Sequence, residues 1–216
     1  MSRDLSGLVV AVLGGNGGLG TPISAALERR GATVVAVSRT SDPSIDIRDA
    51  DAGDRIVALV TEHHGRLDGV VNATGIVAFG NLVDTDDVVI EELFLTNVLG
   101  PLWLIKRVAP ALSETKGFVV NISGVVAETP TAGMAAYSAS KAALAASGAA
   151  LHRELRRLGV QVIDVRPPHT ETGLATRPLA GTAPKMPAGL DPAVVAERIV
   201  AAIEAGDHDV ASSEFG

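Results

Sequence analysis

Cysteine is absent from this 216-residue chain, which excludes disulfides, thiol catalysis and a cysteine-based zinc site. The five histidines are scattered and show no metal-ligand spacing. Basic residues are in deficit, 18 Lys and Arg against 25 Asp and Glu. A net charge of −7, with no cluster of Lys and Arg, argues against a nucleic-acid groove. No apolar run reads as long enough to span a membrane, and Met1–Ser6 does not read as a signal peptide, so the cytoplasm is the expected setting. Aromatic residues make up 3% of the chain, with one tyrosine, and there are four lysines. A motif that uses both is therefore conspicuous.

The mixture of 47% apolar and 20% charged residues is that of a globular protein, and the length suits one domain, residues 1–216, with a sizeable core. Leu8–Leu13 is an apolar, Val-rich run that reads as a buried parallel strand. Five glycines follow in the seven residues Gly14–Gly20, and a helical pattern resumes at Thr21. Strand, glycine turn and helix form a mononucleotide-binding unit. Glycine lets the backbone approach a pyrophosphate, and the helix start offers N–H groups and a positive dipole end. Two glycine registers fit, Gly15/Gly17/Gly20 and Gly14/Gly18/Gly20. No lysine precedes Thr21, which excludes a Walker A loop.

A second strand is expected at Thr33–Val37, ending in Ser38-Arg39. An acid there would suit the ribose hydroxyls of NAD(H), whereas an arginine suits a 2′-phosphate, so NADP(H) is expected over NAD(H). A short strand is expected at Ile45–Ile47 although few residues precede it, then a helix from Asp49 to about His63 and a strand ending near Gly75. A helical region from Thr85 or Asp86 to about Leu112 should kink at Pro101. Phe118–Ile122 reads as a strand, Tyr137–Leu158 as an Ala-rich helix and Val160–Val165 as a strand. Thr170–Leu190 lacks periodicity and reads as a loop or lid. Asp191-Pro192 should open a last helix, and His208–Gly216 is expected to be a short edge strand or disordered. The alternation implies an α/β fold, a parallel sheet with helices on both faces and a site beyond the carboxyl ends of its strands.

Tyr137 and Lys141 lie four residues apart at a helix start, hence on one face. A cation beside a phenol favours the phenolate, so the tyrosine pKa is expected to fall and the side chain to exchange a proton with a carbonyl or alcohol oxygen.

These residues, with Gly14/Gly18/Gly20, Asp46-Ile47, Asn72-Ala-Thr-Gly75, Asn97, Asn121-Ile-Ser123 and Pro167 followed by Thr172, resemble the short-chain dehydrogenase/reductase family over nearly the whole chain. The resemblance implies a single doubly wound Rossmann-type domain using NAD(P)(H) on a small carbonyl or alcohol substrate. It implies a closed homodimer or homotetramer built on helices Asp87–Leu112 and Tyr137–Leu158. It casts Tyr137, Lys141, Asn97 and Ser123 as catalytic. Gly14, Asn16, Gly18, Leu19 and Gly20 would meet the phosphates, and Ser38 and Arg39 the ribose end. Asp46, Ile47, Asn72, Ala73 and Gly75 would line the adenosine side. Pro167, Thr170 and Thr172, with Tyr137 and Lys141, would hold the nicotinamide end.

Three departures stand out. The helix between the second and third strands is almost absent. Pro167-Pro168, followed by His169, replaces the family's Pro-Gly. The family's catalytic serine falls thirteen positions before the tyrosine, where this chain has Gly124. Either a remodelled loop lets Ser123 serve, or the usual hydroxyl is missing. The second case favours a non-catalytic NADP(H) sensor on the same fold.

Overall fold

A computed structural model describes residues 2–216. Among them one sheet is formed by β1 (Val9–Leu13), β2 (Thr33–Val37), β3 (Gly69–Asn72), β4 (Phe118–Ile122), β5 (Gln161–Val165) and β6 (Asp209–Val210). All pairings are parallel, in the order β2-β1-β3-β4-β5-β6. The helices are α1 (Gly20–Arg29), α2 (Ala52–His64), α3 (Asp87–Phe94), α4 (Gly100–Thr115), α5 (Ala135–Leu155) and α6 (Pro192–Ala205).

β1 is apolar throughout because both its faces are covered. Val10 and Val12 pack with Ile23 and Leu27 of α1 and Ile199 of α6. Val9, Ala11 and Leu13 pack with Ile56 of α2 and Leu104 and Val108 of α4. This is the doubly wound arrangement that the strand–helix alternation implied. The carboxyl ends of β1, β3 and β4 lie side by side, with Leu13 opposite Asn72 and Asn72 opposite Asn121.

The expected strand at Ile45–Ile47 does not form. Seven residues after Val37 are too few for a parallel crossover. Ile45 and Ile47 instead bury their side chains in the α2/α4 layer as part of a loop, and the Ile45 amide donates to the Ser38 carbonyl (2.9 Å). No helix lies between Val37 and Ile45, in line with the departure read from the sequence. The helix expected after it, α2, leads on to β3, and β2 is the sheet edge. Asp51, not Asp49, precedes α2, and Asp49 pairs with Arg55 instead.

α3 and α4 make one continuous helix, Asp87–Thr115, joined by a π turn at Leu95–Leu99. The turn lies just before Pro101, where a kink was expected, and its wider ring accommodates a residue that lacks an N–H. This helix corrects one expectation, because by length and composition it is apolar enough to cross a membrane. Half of its most apolar window is buried, and Leu93, Leu104, Ile105 and Leu112 are core residues, so it reads as a core helix. Asp191 caps α6 by accepting from the Ala193 amide (2.8 Å). The tail is ordered by β6 and by Phe215, which is buried in the α1/α6 layer.

Candidate active site

The turn after β1 shows why its glycines are needed. Gly14 has φ +73°, a left-handed conformation. A Cβ on Gly20 would lie 2.1 Å from the Gly14 carbonyl oxygen, and one on Gly18 would lie 2.1 Å from that of Thr172. At Gly17 the nearest approach is 3.0 Å. A Cβ on Gly15 would also clash, 2.6 Å from that of Ala36, so what favours the Gly14/Gly18/Gly20 register is Gly18, which brings Thr172 against the turn. Leu19 precedes α1 with no side-chain cap; Thr21 donates to the Gly17 carbonyl (3.0 Å) and Pro22 has no N–H, so the Leu19 and Gly20 amides are the ones left at the helix start for an anion. Asn16 is exposed on the turn and its Nδ2 donates to Ser38 Oγ (3.2 Å), tying the turn to the end of β2.

Arg39 is exposed there, and no ion pair involves its guanidinium among the described residues. Asp46, the nearest acid predicted for the site, is engaged elsewhere. Its carboxylate accepts from the backbone and guanidinium of Arg48, which also reaches Glu92 (3.0 Å). Burial raises the Asp46 pKa, but the Arg48 hydrogen bonds outweigh it and hold the group below the usual range. Asn72 is buried at the end of β3 and accepts from the Thr74 amide (3.2 Å), which shapes the Ala73–Gly75 turn.

Asn97 sits in the π turn and is 1% exposed. Its Oδ1 accepts from the Ile76 amide and its Nδ2 donates to the Ile76 carbonyl, each at 3.0 Å, and also to Ser140 Oγ (3.1 Å). Ser140 in turn donates to the Tyr137 carbonyl (2.7 Å). Asn97 therefore fastens the β3 exit to α5. A Cβ on Gly75 would lie 3.4 Å from Lys141 Nζ and 3.5 Å from Asn97 Oδ1, so this glycine leaves room for both groups.

The tyrosine–lysine pair differs from expectation. Lys141 Nζ donates to the Ile122 carbonyl (2.8 Å). Burial pushes the Tyr137 phenol up to about 12 rather than down, because the phenolate is the form that desolvation penalises. Burial also lowers Lys141 to about 8, partly opposed by the charge of Asp164.

The surroundings of Ser123 bear on its two alternatives. Its hydroxyl is 0% exposed and donates to Asp164 Oδ2 (2.8 Å). Gly124 has φ +81° and ψ 163°, a region essentially reserved for glycine. The amides of Ser123, Gly124 and Val125 all donate to carbonyls of Val165 or Pro167. The β4 exit thus presents neither a serine hydroxyl nor an unpaired amide from these three residues.

Pro167 is buried and its carbonyl accepts from Val125 (3.0 Å). Thr170 bridges to Leu190 and its hydroxyl donates to Pro168, while Thr172 accepts from the Leu174 amide (3.4 Å). Both threonines thus shape the base of the segment expected to be a lid. His169 lies beside Glu171 (3.4 Å), a contact that keeps it within the lid base.

Sequence reasoning missed Asp164. It is 3% exposed, accepts from Ser123 and Arg166, and its pKa is raised by burial. Arg166 also pairs with Asp209 (2.6 Å) and Glu128. A signal existed. Asn72, Asn121 and Asp164 are each a polar residue near the carboxyl end of an otherwise apolar run, and the sheet places them in one row. No cluster of three metal-ligating side chains occurs among the described residues.

Residues 43–180 match the family model described as short chain dehydrogenase. A protein of Penicillium ochrochloron named short-chain dehydrogenase ptmH is 34% identical over 163 residues, covering 69% of this chain and 60% of that protein. The chain thus spans about 60% of the length of the fungal relatives it matches. A short chain dehydrogenase from Burkholderia cenocepacia, solved in complex with NADP, superposes with a TM-score of 0.86 at 24% identity, covering 99% of this chain and 93% of its own. A 3-ketoacyl-(acyl-carrier-protein) reductase from Brucella melitensis, complexed with NADH, gives 0.85 at 21% identity, covering 98% and 100%.

Proposed function

The chain belongs to the short-chain dehydrogenase family, and from that premise we propose that it is an NADP(H)-dependent oxidoreductase that interconverts a ketone or aldehyde and an alcohol. The observation that carries the cofactor reading is the uncapped helix start behind a turn that only glycines can form, with an uncommitted Arg39 beside it. These residues fit a dinucleotide phosphate. Gly14, Asn16, Gly18, Leu19 and Gly20 would hold its pyrophosphate, and Ser38 and Arg39 a 2′-phosphate. Asp46, Ile47, Asn72, Ala73 and Gly75 would line the adenosine side. Pro167, Thr170, Thr172 and Lys141 would hold the nicotinamide end. The bound nicotinamide would supply or accept the hydride.

The rest is done by the chain. Tyr137 Oη, kept protonated by burial, is suited to give a proton to a carbonyl oxygen as charge develops there. Lys141, released from the Ile122 carbonyl, would place its ammonium near the phenol and ease that transfer. Asn97 holds the β3 exit against α5 and so sets the position of the pair. The exposed Leu99 of the Asp87–Thr115 helix, and the Ala-rich α5, support a homodimer or homotetramer built on these helices. A monomeric mass in light scattering would reject that assembly. The expected setting remains the cytoplasm.

Calorimetry should show tighter binding of NADPH than of NADH, and a carbonyl panel should show NADPH oxidation. Gly124 and its paired amides favour a second reading, an NADP(H)-binding sensor without turnover. NADPH binding with no turnover on any carbonyl or alcohol would replace the first reading by the second.

A further inference from the structure

Arg39 and Asp46 are neighbours across the loop that follows β2. The Ile45 amide donates to the Ser38 carbonyl (2.9 Å) and the Ser44 hydroxyl to the Arg39 carbonyl (2.9 Å), which folds the chain back and sets Asp46 beside the strand end. The charge of Arg39 reaches the Asp46 carboxylate. Burial raises the pKa of that carboxylate, and the hydrogen bonds and charge of Arg48, joined by the charge of Arg39, bring it down. An arginine placed beside a carboxylate ordinarily closes an ion pair with it. No ion pair joins Arg39 to Asp46 among the described residues, and Asp46 pairs with Arg48 instead.

Arg48 takes both carboxylate oxygens. Its amide donates to Oδ1 (3.0 Å), its Nε to Oδ1 and Oδ2 (3.2 and 3.1 Å) and its Nη2 to Oδ2 (2.7 Å). The other arm of the fork, Nη1, donates to Glu92 Oε2 on α3 (3.0 Å), so the guanidinium is held from two sides. A planar, permanently charged fork covers a carboxylate in this way. Left uncovered, the carboxylate would act on a 2′-phosphate twice. It would draw off the Arg39 guanidinium, and its own charge would repel the phosphate. A ribose hydroxyl suffers neither effect, so the penalty would fall on NADP(H) and spare NAD(H).

We propose that Arg48 is a specificity-determining residue for the cofactor: by covering Asp46 it keeps Arg39 free for the 2′-phosphate, without touching the phosphate itself. This rests on the NADP(H) reading above.

Calorimetry tests it. Arg48→Met should lower NADPH affinity by about tenfold, the lower end of one charge-assisted contact, and leave NADH affinity unchanged. Arg48→Lys, which keeps the charge, should retain most of the preference. Adding Asp46→Asn to Arg48→Met should restore it, because the harmful carboxylate is gone. The ratio of the two affinities is the readout, since any contact of Asp46 with the adenosine is common to both cofactors. Equal losses for NADPH and NADH in Arg48→Met would mark a merely structural role and overturn the proposal. A double variant as weak towards NADPH as Arg48→Met would also overturn it, since Arg48 would then meet the phosphate directly. If the wild type binds NADPH no better than NADH, the cofactor reading fails. Arg48 is then judged on the protein without cofactor. There Arg48→Met should slow exchange of the Arg39 Nε proton, read by NMR, as Asp46 captures the guanidinium, and unchanged exchange overturns the assignment.

Discussion

The two halves of the sheet treat a ligand in opposite ways. Around β1, β2 and β3 the site is open and shaped by backbone: glycine turns, an uncapped helix and an exposed arginine. Beyond β4 and β5 it is closed and shaped by side chains, with Tyr137 under an apolar lid and Ser123, Asp164 and Arg166 clasped beneath it. The open half has β2 as its edge strand, and a groove of about 320 Å³ runs along that edge without touching a predicted site residue. In the closed half the backbone after β4 takes a glycine conformation at Gly124, with φ +81°. On the proposed reading the phosphate end and the proton-moving pair lie in different halves and meet at Lys141, so each can be perturbed largely alone.

The largest effect should come from the closed half. Tyr137→Phe removes the group proposed to move the proton, and turnover should fall by roughly 10²–10⁴-fold. NADPH affinity by fluorescence titration should change little, because the turn after β1 is untouched. A comparable loss of affinity would show that the two halves are one unit.

Arg39→Ala probes the open half. The preference for NADPH over NADH should shrink by about tenfold to a hundredfold, the worth of one charge-assisted phosphate contact. Calorimetry with both cofactors checks this, and kcat at saturating NADPH should hold.

Gly124→Ser sharpens the comparison at the missing hydroxyl. Serine must adopt φ +81° there, so the variant should lose about 1–3 kcal/mol of stability, read as a lowered Tm. Turnover should not rise. A stable variant with higher kcat/KM would mean that the turn relaxes to admit a serine donor.

Lys141 provides a pH test. Its pKa of about 8 in the fold lies below the ordinary lysine value, so between about pH 8 and 10.4 the unfolded chain holds more protons. Stability should therefore rise with pH across that window through this residue. Lys141→Met should flatten that part of a denaturation-against-pH profile. The smallest effect is expected from Ser123→Ala, about fivefold in kcat/KM. Its hydroxyl serves the Asp164 clasp, and losing one such bond is worth about 1 kcal/mol.

Much of the open half was legible from residue order. Apolar Val-rich runs, the glycines of the β1 turn and Asp191-Pro192 act through local backbone geometry, and local geometry repeats wherever the residues occur. The site motifs were legible for the same reason, each falling at a strand end or a helix start. Ile45–Ile47 misled because alternation records which side chains are buried, not whether a neighbouring strand can be reached in seven residues. Its buried isoleucines fill the α2/α4 layer from a loop.

What residue order alone determined is the sheet, the phosphate turn and the pairing of Tyr137 with Lys141 on one helix. Only the tertiary structure decided that Lys141 turns to the Ile122 carbonyl, that burial raises the Tyr137 pKa, that Ser123 serves Asp164 and that Gly181 lies against the Phe79 carbonyl. The latter three pair residues at least 41 positions apart or depend on how much water surrounds a group. Desolvation and long-range contact are properties of the packed chain, and no local window of sequence carries them.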